Sequence, residues 1–182
     1  TVCSRLITRK HLSWGKNYLA CLFGYASHAF LDSCTSYGTQ LFWPFSNERI
    51  AWNIISIIDP LFTIPVLICI IIAASKGSKL FSYIGLLWAI SYLSIGIIQK
   101  ERARAAGINI ANARSHFGYN LSVKPAFGNL LLWKSIYQHN NYYFVDAIRL
   151  GTDTEYCIGE KIEKFNHSKH LPNLDKDSQQ AI

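Results

Sequence analysis

The chain has 182 residues, half of them hydrophobic and only 16% charged, with a formal net charge of +7 at pH 7. Soluble domains carry roughly 25% charged residues, so this composition argues against a water-soluble globular protein and favours a membrane protein. The positive charge would suit nucleic acid, but no RNP motif, zinc finger or basic helix accompanies it, and Lys and Arg beside anionic lipid explain it better.

The five cysteines are an odd number and contain no C-x-x-C pair. This argues against a disulfide framework and against a thiolate zinc site. The sequence begins with Thr1 and contains no methionine. We therefore expect an upstream segment, which carries functional residues, to be missing from it.

Three apolar segments predict membrane-spanning helices, and they cover residues 14–31, 50–74 and 80–98. Each is close to the roughly 20 residues that a helix needs to cross about 30 Å of hydrocarbon. Residues 99–115 are built mainly from Ala, Arg, Glu and Ile, which predicts a further helix.

The rest of the chain predicts a small antiparallel sheet. Aromatic and β-branched residues fill segments 119–124, 129–138 and 141–150, and an Asn-Asn pair marks a hairpin turn between the last two. The segment from Asp153 onward is mixed in charge, and its end is typical of disorder.

These elements predict an α-helical polytopic membrane protein with about three transmembrane helices and a small C-terminal extramembrane α+β module containing an antiparallel sheet. The predicted domains are a transmembrane part with a metal site at residues 1–98, a helix and sheet module at 99–152, and a polar tail at 153–182.

His28 and Asp32 are the first candidate site residues, because a spacing of four places them on one face of a helix. Imidazole and carboxylate at this spacing can reach one metal ion, or the carboxylate can orient the imidazole. Thr35 or Ser36 continues the same face. Ionisable residues in a membrane segment cost about 2.5–3.5 kcal/mol and mark functional sites by default. The alternative is a hydrated pair that caps the helix end at the membrane interface.

Asp59 is the third candidate, because it lies inside an apolar segment and precedes Pro60. Proline removes a backbone donor, which predicts a broken or kinked helix, and a carboxylate beside it needs a partner. If the first helix ends near Asp32 and the second begins near Ile50, the candidates converge on one pocket. The loop TSYGTQLFWPFS, residues 35–46, would close that pocket with an apolar lid or anchor the chain at the interface.

Catalytic zinc usually has three protein ligands, so a pair is not a complete site. His116 follows the third predicted helix, His139 lies in the hairpin, and His167 and His170 form an H-x-x-H in the polar tail, where solvation is the simpler interpretation. We therefore expect the missing ligands upstream of Thr1.

The stretch SHAFLDSCTSYGTQLFWPFSNERIAWNIISIIDPLF resembles the signature of the membrane-bound metal-dependent hydrolases, also described as LexA-binding, inner-membrane-associated hydrolases. That signature joins an H-x-x-x-D to a Gly-Thr stretch, a Pro-Phe-Ser and an Asp-Pro in an apolar helix. The matching positions are His28, Asp32, Gly38, Thr39, Pro44, Phe45, Ser46, Asp59 and Pro60. The later VKPAFGNLLLWKSIY, with Pro125, Asn129 and Trp133, resembles the module that follows the helices. The family's upstream acidic stretch and its H-R-G-x-T-H motif are not in this sequence.

The resemblance implies a multi-pass inner membrane protein that holds a divalent metal, with zinc the first choice, and hydrolyses an ester or phosphoester, for which we expect a small-molecule or lipid-like substrate. His28 and Asp32 are the expected metal ligands. Asp59 is expected to act as general base, as a further ligand, or as a hydrogen-bond partner of a ligand. A metal-bound water would attack the substrate while the metal stabilises the developing charge.

Two functions of other classes remain open. A non-enzymatic membrane scaffold would bind a regulatory protein through residues 119–150, using strand edges and aromatic side chains such as Trp133. A transporter would explain the helix break at Asp59, but the low helix count and the lack of an internal repeat argue against it.

Overall fold

The computed structural model describes residues 13–117 and 120–165 of the protein. In these residues three helices are followed by five short strands. The helices are α1 (Trp14–Cys34), α2 (Pro60–Lys76) and α3 (Lys79–Ala113), and the strands are β1 (Leu121–Pro125), β2 (Leu132–His139), β3 (Tyr142–Leu150), β4 (Thr154–Cys157) and β5 (Lys161–Glu163).

The prediction of a polytopic protein with three transmembrane helices is wrong. Within residues 13–117 and 120–165, only α3 combines the length and the apolar composition needed to cross a bilayer. Helix α1 has 21 residues but includes polar side chains at Lys16, Asn17, His28 and Asp32. Helix α2 has 17 residues, which gives about 25 Å and falls short of about 30 Å of hydrocarbon. The described part of the chain therefore contains one candidate span and two further helices, joined to an antiparallel sheet.

Helix α2 begins ten residues later than the apolar pattern predicts, because Asp59 and Pro60 form a helix start. The Asp59 side chain accepts hydrogen bonds from the first-turn amides, and Pro60 occupies a position where no intrahelical donor is needed. The predicted break is therefore present. Residues 50–58 are extended instead and form isolated bridges to Thr35 and Thr39.

Helices α2 and α3 form an antiparallel hairpin through a tight turn at Gly77, which adopts a positive φ of 63°. Helix α3 then continues for 35 residues, about 52 Å. It unites the predicted span at residues 80–98 with the predicted helix at 99–115. Its first half carries no charged side chain after Lys79, and charged residues begin at Lys100.

Three buried glycines on α3, at positions 85, 96 and 107, allow three different parts of the chain to approach the helix. A Cβ atom at Gly85 would lie 3.0 Å from Cβ of Cys69 in α2. At Gly96 it would lie 2.8 Å from Cγ2 and 2.9 Å from the carbonyl oxygen of Ile54. At Gly107 it would lie 2.7 Å from Oγ of Ser135 in β2. The glycines therefore set how closely α2, the extended segment and the sheet pack on α3.

The predicted antiparallel sheet is present, with strand order β1-β2-β3-β4 and with β5 also paired to β3. The predicted hairpin joins β2 to β3 at Asn140, whose φ is 52°. One face of the sheet packs against the second half of α3 and buries Trp133, Ile148 and Leu150. Strands β4 and β5 lie within the segment interpreted as a polar tail, so the sheet is larger than predicted, while residues 166–182 lie outside the described part of the chain.

We predict that Gly96→Ala destabilises the protein, because the new methyl group would overlap Ile54. Alanine has the higher helix propensity by about 1 kcal/mol, and overpacking costs typically 1–3 kcal/mol, so we expect a net loss of about 1 kcal/mol. The measurement is the thermal unfolding midpoint of the purified protein in detergent. Gly24→Ala is the matched control, since within the described residues no atom lies within 4 Å of its new Cβ apart from its chain neighbours and the nearby backbone of its own helix. Equal midpoints for both variants would contradict the packing described here.

Candidate functional site

His28 and Asp32 lie together near the C-terminal end of α1. The His28 Nε2 atom is 3.5 Å from Asp32 Oδ2, and the two side chains are 73% and 49% exposed. An N–H···O hydrogen bond is usually 2.7–3.2 Å long, so this pair is wider than a direct hydrogen bond. Both side chains remain open to an external group.

The end of α1 is held firmly by the extended segment that precedes α2. The carbonyl oxygen of Ser33 accepts the Trp52 amide at 2.7 Å, and that of Cys34 accepts the Ile54 amide at 2.8 Å. Ser33 and Cys34 are buried, and burial raises the pKa of the Cys34 thiol. A neutral thiol is a poor metal ligand, so Cys34 belongs to the packing that supports Asp32.

The two hydroxyls that continue the His28 face differ in their contacts. Thr35 Oγ1 donates to the carbonyl oxygen of Asp32 at 2.7 Å. The Ser36 hydroxyl is buried and has no hydrogen-bond partner within residues 13–117 and 120–165.

Asp59 is buried, with 2% of its surface exposed. Its Oδ1 atom accepts the amides of Leu61 at 3.1 Å and Phe62 at 3.3 Å, and its Oδ2 atom accepts the hydroxyl of Tyr92 at 2.8 Å. Both carboxylate oxygens are therefore used in joining α2 to α3. An action of Asp59 as general base or ligand stays a prediction.

The described residues do not bring the three predicted site residues together as a metal cluster. No group of three or more His, Cys, Asp or Glu side chains that could hold a metal ion occurs in segments 13–117 and 120–165. His28 and Asp32 form a pair, and Asp59 lies in a separate polar contact with Tyr92. His167 and His170 lie outside the described residues.

The loop after α1 is ordered by backbone contacts and exposes its aromatic residues. Thr39 and Ile50 exchange two backbone hydrogen bonds, and Gly38 turns with a φ of 73° directly against Ile50. The exposed aromatic side chains are those of Tyr37, Phe42, Trp43 and Phe45. These rings form an apolar surface that follows the His28–Asp32 pair along the chain.

A second polar cluster, which was not predicted from the sequence, lies between the end of α3 and the sheet. Arg114 donates to both carboxylate oxygens of Asp146, at 2.8 and 2.7 Å, and to the Tyr137 hydroxyl at 2.8 Å. The Gly159 amide also donates to Asp146, which is 1% exposed. The sequence of β3 indicates this cluster, because buried and exposed side chains alternate along the strand. Asp146 falls on the buried side with Ile148 and Leu150, and a buried carboxylate needs a partner.

His116 and His139 stack beside this cluster, with ring centroids 4.1 Å apart. His116 Nδ1 lies 3.1 Å from the Tyr137 hydroxyl. Burial lowers the pKa of His116 below its ordinary value, and the neighbouring His139, Arg114 and Lys161 lower it further. Its neutral form is therefore favoured in the folded protein.

Comparison with known proteins gives one positive finding. The sequence model of the family described as YdjM inner membrane protein matches residues 1–103, which is more than half of the 182 residues. No curated protein and no solved structure shows significant similarity to the chain. The matched region contains α1, α2, the loop between them and the apolar half of α3.

We predict that Asp59→Ala weakens the α2–α3 hairpin. Loss of a helix N-cap costs about 1 kcal/mol, and leaving the Tyr92 hydroxyl without its acceptor costs roughly a further 1–3 kcal/mol. Asp59→Asn should lie between the two, since its single amide oxygen can still cap the helix but its amide nitrogen cannot accept the Tyr92 hydroxyl. Thermal unfolding in detergent checks this, and an Asp59→Ala midpoint equal to that of the unmodified protein would show that the contact contributes nothing.

We predict that acidification destabilises the sheet module through His116. Because the pKa of His116 is lower in the folded state than the unfolded value of 6.5, the unfolded state binds more protons below about pH 6.5, and stability falls as the pH decreases. Unfolding midpoints measured from about pH 7.5 to about pH 5 should decrease less steeply in His116→Gln. An unchanged pH dependence in that variant would contradict the assignment.

Proposed function

The chain belongs to the YdjM inner membrane protein family, and we propose that it is a metal-dependent hydrolase in which His28 and Asp32 hold a divalent cation at the membrane. Zinc is the first candidate for that ion. The observation that carries the proposal is the 3.5 Å gap between an imidazole nitrogen and a carboxylate oxygen, both open to an external group.

The spacing of the pair fits two ligands of one ion. Ligands about 2.1 Å from a tetrahedral zinc ion are separated from one another by about 3.4 Å, and the observed separation is 3.5 Å. Imidazole nitrogen and carboxylate oxygen are both ordinary zinc ligands. A catalytic zinc site takes three protein ligands, so the proposal requires at least one more from outside the described residues.

The two residues have distinct parts in the proposed chemistry. His28 would bind through Nε2 and Asp32 through Oδ2, while backbone hydrogen bonds from Trp52 and Ile54 hold the end of α1 in place. A bound divalent cation would supply a water of lowered pKa and a positive charge beside an ester or phosphoester. Asp59 acts as a positioning residue in this proposal, because its carboxylate holds α2 against α3.

The surroundings of the pair favour an amphiphilic substrate. Phe42, Trp43 and Phe45 are exposed in the loop that follows Asp32, and α1 itself exposes Phe23 and Tyr25. Exposed apolar side chains that precede and follow a polar pair along the chain suit a molecule with an acyl chain and an ester or phosphate group. The chain belongs to an inner membrane protein family, and a membrane contains molecules of this kind.

A second candidate function is a membrane anchor that presents the sheet to a regulatory protein. It is favoured by the outer face of the sheet, where Lys124, Lys134, Ala147 and Arg149 are exposed on the side away from α3. This function requires no metal ion, so a measurement of metal content distinguishes the two candidates.

We predict that the full-length protein purified in detergent contains close to one divalent metal ion per chain, and that the double variant His28→Ala/Asp32→Ala loses it. Removing one metal ligand already weakens a metal site strongly, and here both described ligands are removed. Elemental analysis of the purified proteins gives the metal content. The matched control is His139→Asn, which removes a histidine from the sheet module and should keep the metal.

Two results would contradict the hydrolase proposal. One is a well-folded protein without metal, and the other is equal metal content in the double variant and the unmodified protein. If the metal is lost only in the double variant, hydrolysis of ester and phosphoester substrates by the same preparations gives the second test, with activity expected to fall together with the metal.

A further inference from the structure

We propose that the loop between β1 and β2 binds the surface of an anionic lipid bilayer. In this proposal the side chains of Phe127 and Leu131 enter the apolar edge of the bilayer. Lys124 and Lys134, on the adjoining strands, contact lipid phosphate groups. The proposal concerns residues outside the His28–Asp32 pair and does not depend on the hydrolase function.

The loop is ordered by its own hydrogen bonds, and its two apolar side chains are exposed. Asn129 Oδ1 accepts the amides of Leu131 at 3.0 Å and Leu132 at 2.7 Å, and its Nδ2 donates to the carbonyl oxygen of Phe127 at 3.0 Å. Gly128 turns with a φ of 73°. Phe127 is therefore exposed because the conformation of a hydrogen-bonded turn places it there.

The loop separates one inward apolar residue from two outward ones. Leu130 is buried, and its carbonyl oxygen accepts Nε1 of Trp133 at 2.9 Å and Nε2 of Gln99 at 3.4 Å. Phe127 and Leu131 are 72% and 53% exposed on the opposite side. The core of the sheet is complete without them, so their apolar surface is available to lipid.

The position of the loop matches the edge of the hydrocarbon layer. Gln99, which contacts the loop, follows the uncharged residues 80–98 of α3 and precedes the charged residue Lys100. On its other side the loop meets the start of apolar helix α2, since a Cβ at Gly128 would lie 3.7 Å from Cδ of Pro60. If α3 spans the membrane, as its composition favours, the loop lies where hydrocarbon gives way to headgroups.

Lys124 and Lys134 add positive charge beside the loop, and an anionic surface would compensate it. They are exposed and lie directly opposite each other in the β1–β2 register. Like charges at such positions repel, which destabilises the strand pair unless an anion compensates them. Neither lysine lies within 4.0 Å of an acidic side chain in the described part of the chain. Lysines beside a membrane segment are attracted to anionic headgroups.

The test places a tryptophan in the loop and asks whether lipid contacts it. Full-length Phe127→Trp is reconstituted in phosphatidylglycerol nanodiscs whose acyl chains are brominated near the headgroup, because bromine quenches tryptophan on contact. The five native tryptophans are accounted for by subtracting the unmodified protein. Leu131→Trp is a second variant in case the first does not fold, as judged by circular dichroism and gel filtration.

The matched control is Ile162→Trp, at the other end of the same sheet. Ile162 is 50% exposed and pairs with Tyr143, whereas the loop contacts Leu150 at the opposite end of β3. Seven strand residues place the two positions roughly 24 Å apart. The proposal expects quenching of the added emission in Phe127→Trp and none in Ile162→Trp.

The lysines are tested in the Phe127→Trp background. Lys124→Gln/Lys134→Gln should lose about half or more of the quenching in phosphatidylglycerol nanodiscs and little of it in phosphatidylcholine nanodiscs. The matched control is Lys161→Gln/Lys164→Gln, which removes the same charge from the far end of the sheet and should lose no quenching. Unchanged quenching in the Lys124→Gln/Lys134→Gln variant would overturn the phosphate contact.

Equal quenching at positions 127 and 162 would overturn the proposal. Blue-shifted but unquenched emission at position 127 would also overturn it, since a protein surface then covers the loop.

Discussion

The close packing on one face of α3 is the constraint on which the rest of the structure depends. Gly85, Gly96 and Gly107 recur every 11 residues, about three turns of helix, so they lie on nearly the same face. The extended segment 50–58, helix α2 and strand β2 each occupy the space beside one glycine. A larger side chain at any of these positions would move a different part of the protein. One helix therefore aligns the apolar hairpin, the end of α1 and the sheet.

This close packing buries two carboxylates, and each of them has specific partners. Asp59 is bound by two amides and Tyr92, and Asp146 by Arg114 and an amide. Such groups are costly when one partner is removed, because the remaining charge stays out of water. They join α2 to α3 and the end of α3 to the sheet. The His28–Asp32 pair differs in being open, which is why it is the better candidate for binding.

Much of the fold could be predicted from local sequence, and the exceptions have physical reasons. The alternation in residues 141–150 and the Asn-Asn turn predicted the β2–β3 hairpin because both signals are local. The apolar, β-branched run from Ile50 was interpreted as helix, but such a run fits an extended segment equally well. The number of spans was overestimated because apolar length was counted without the helix start at Pro60, which shortens α2, and without the polar side chains of α1.

In the candidate site too, contacts between residues near in sequence could be predicted, whereas contacts between residues far apart in sequence could not. The spacing of His28 and Asp32 was enough to predict that they share a face of α1. The partner of Asp59 was not predictable, because Tyr92 lies 33 residues further along the chain. Arg114 and Asp146 are likewise 32 residues apart, and only the inward register of Asp146 in β3 indicated that it needs a cation.

The unbroken course of α3 has a mechanical consequence. A helix of 35 residues behaves as a stiff rod, and its 15 residues from Gln99 to Ala113 extend about 22 Å beyond the apolar half. Membrane helices change their tilt to match the thickness of the hydrocarbon layer. A change of about 10° in the tilt of such a rod moves a point about 22 Å from the pivot by about 4 Å. The sheet packs on the second half of α3, so it would shift whenever the bilayer around the hairpin thins or thickens.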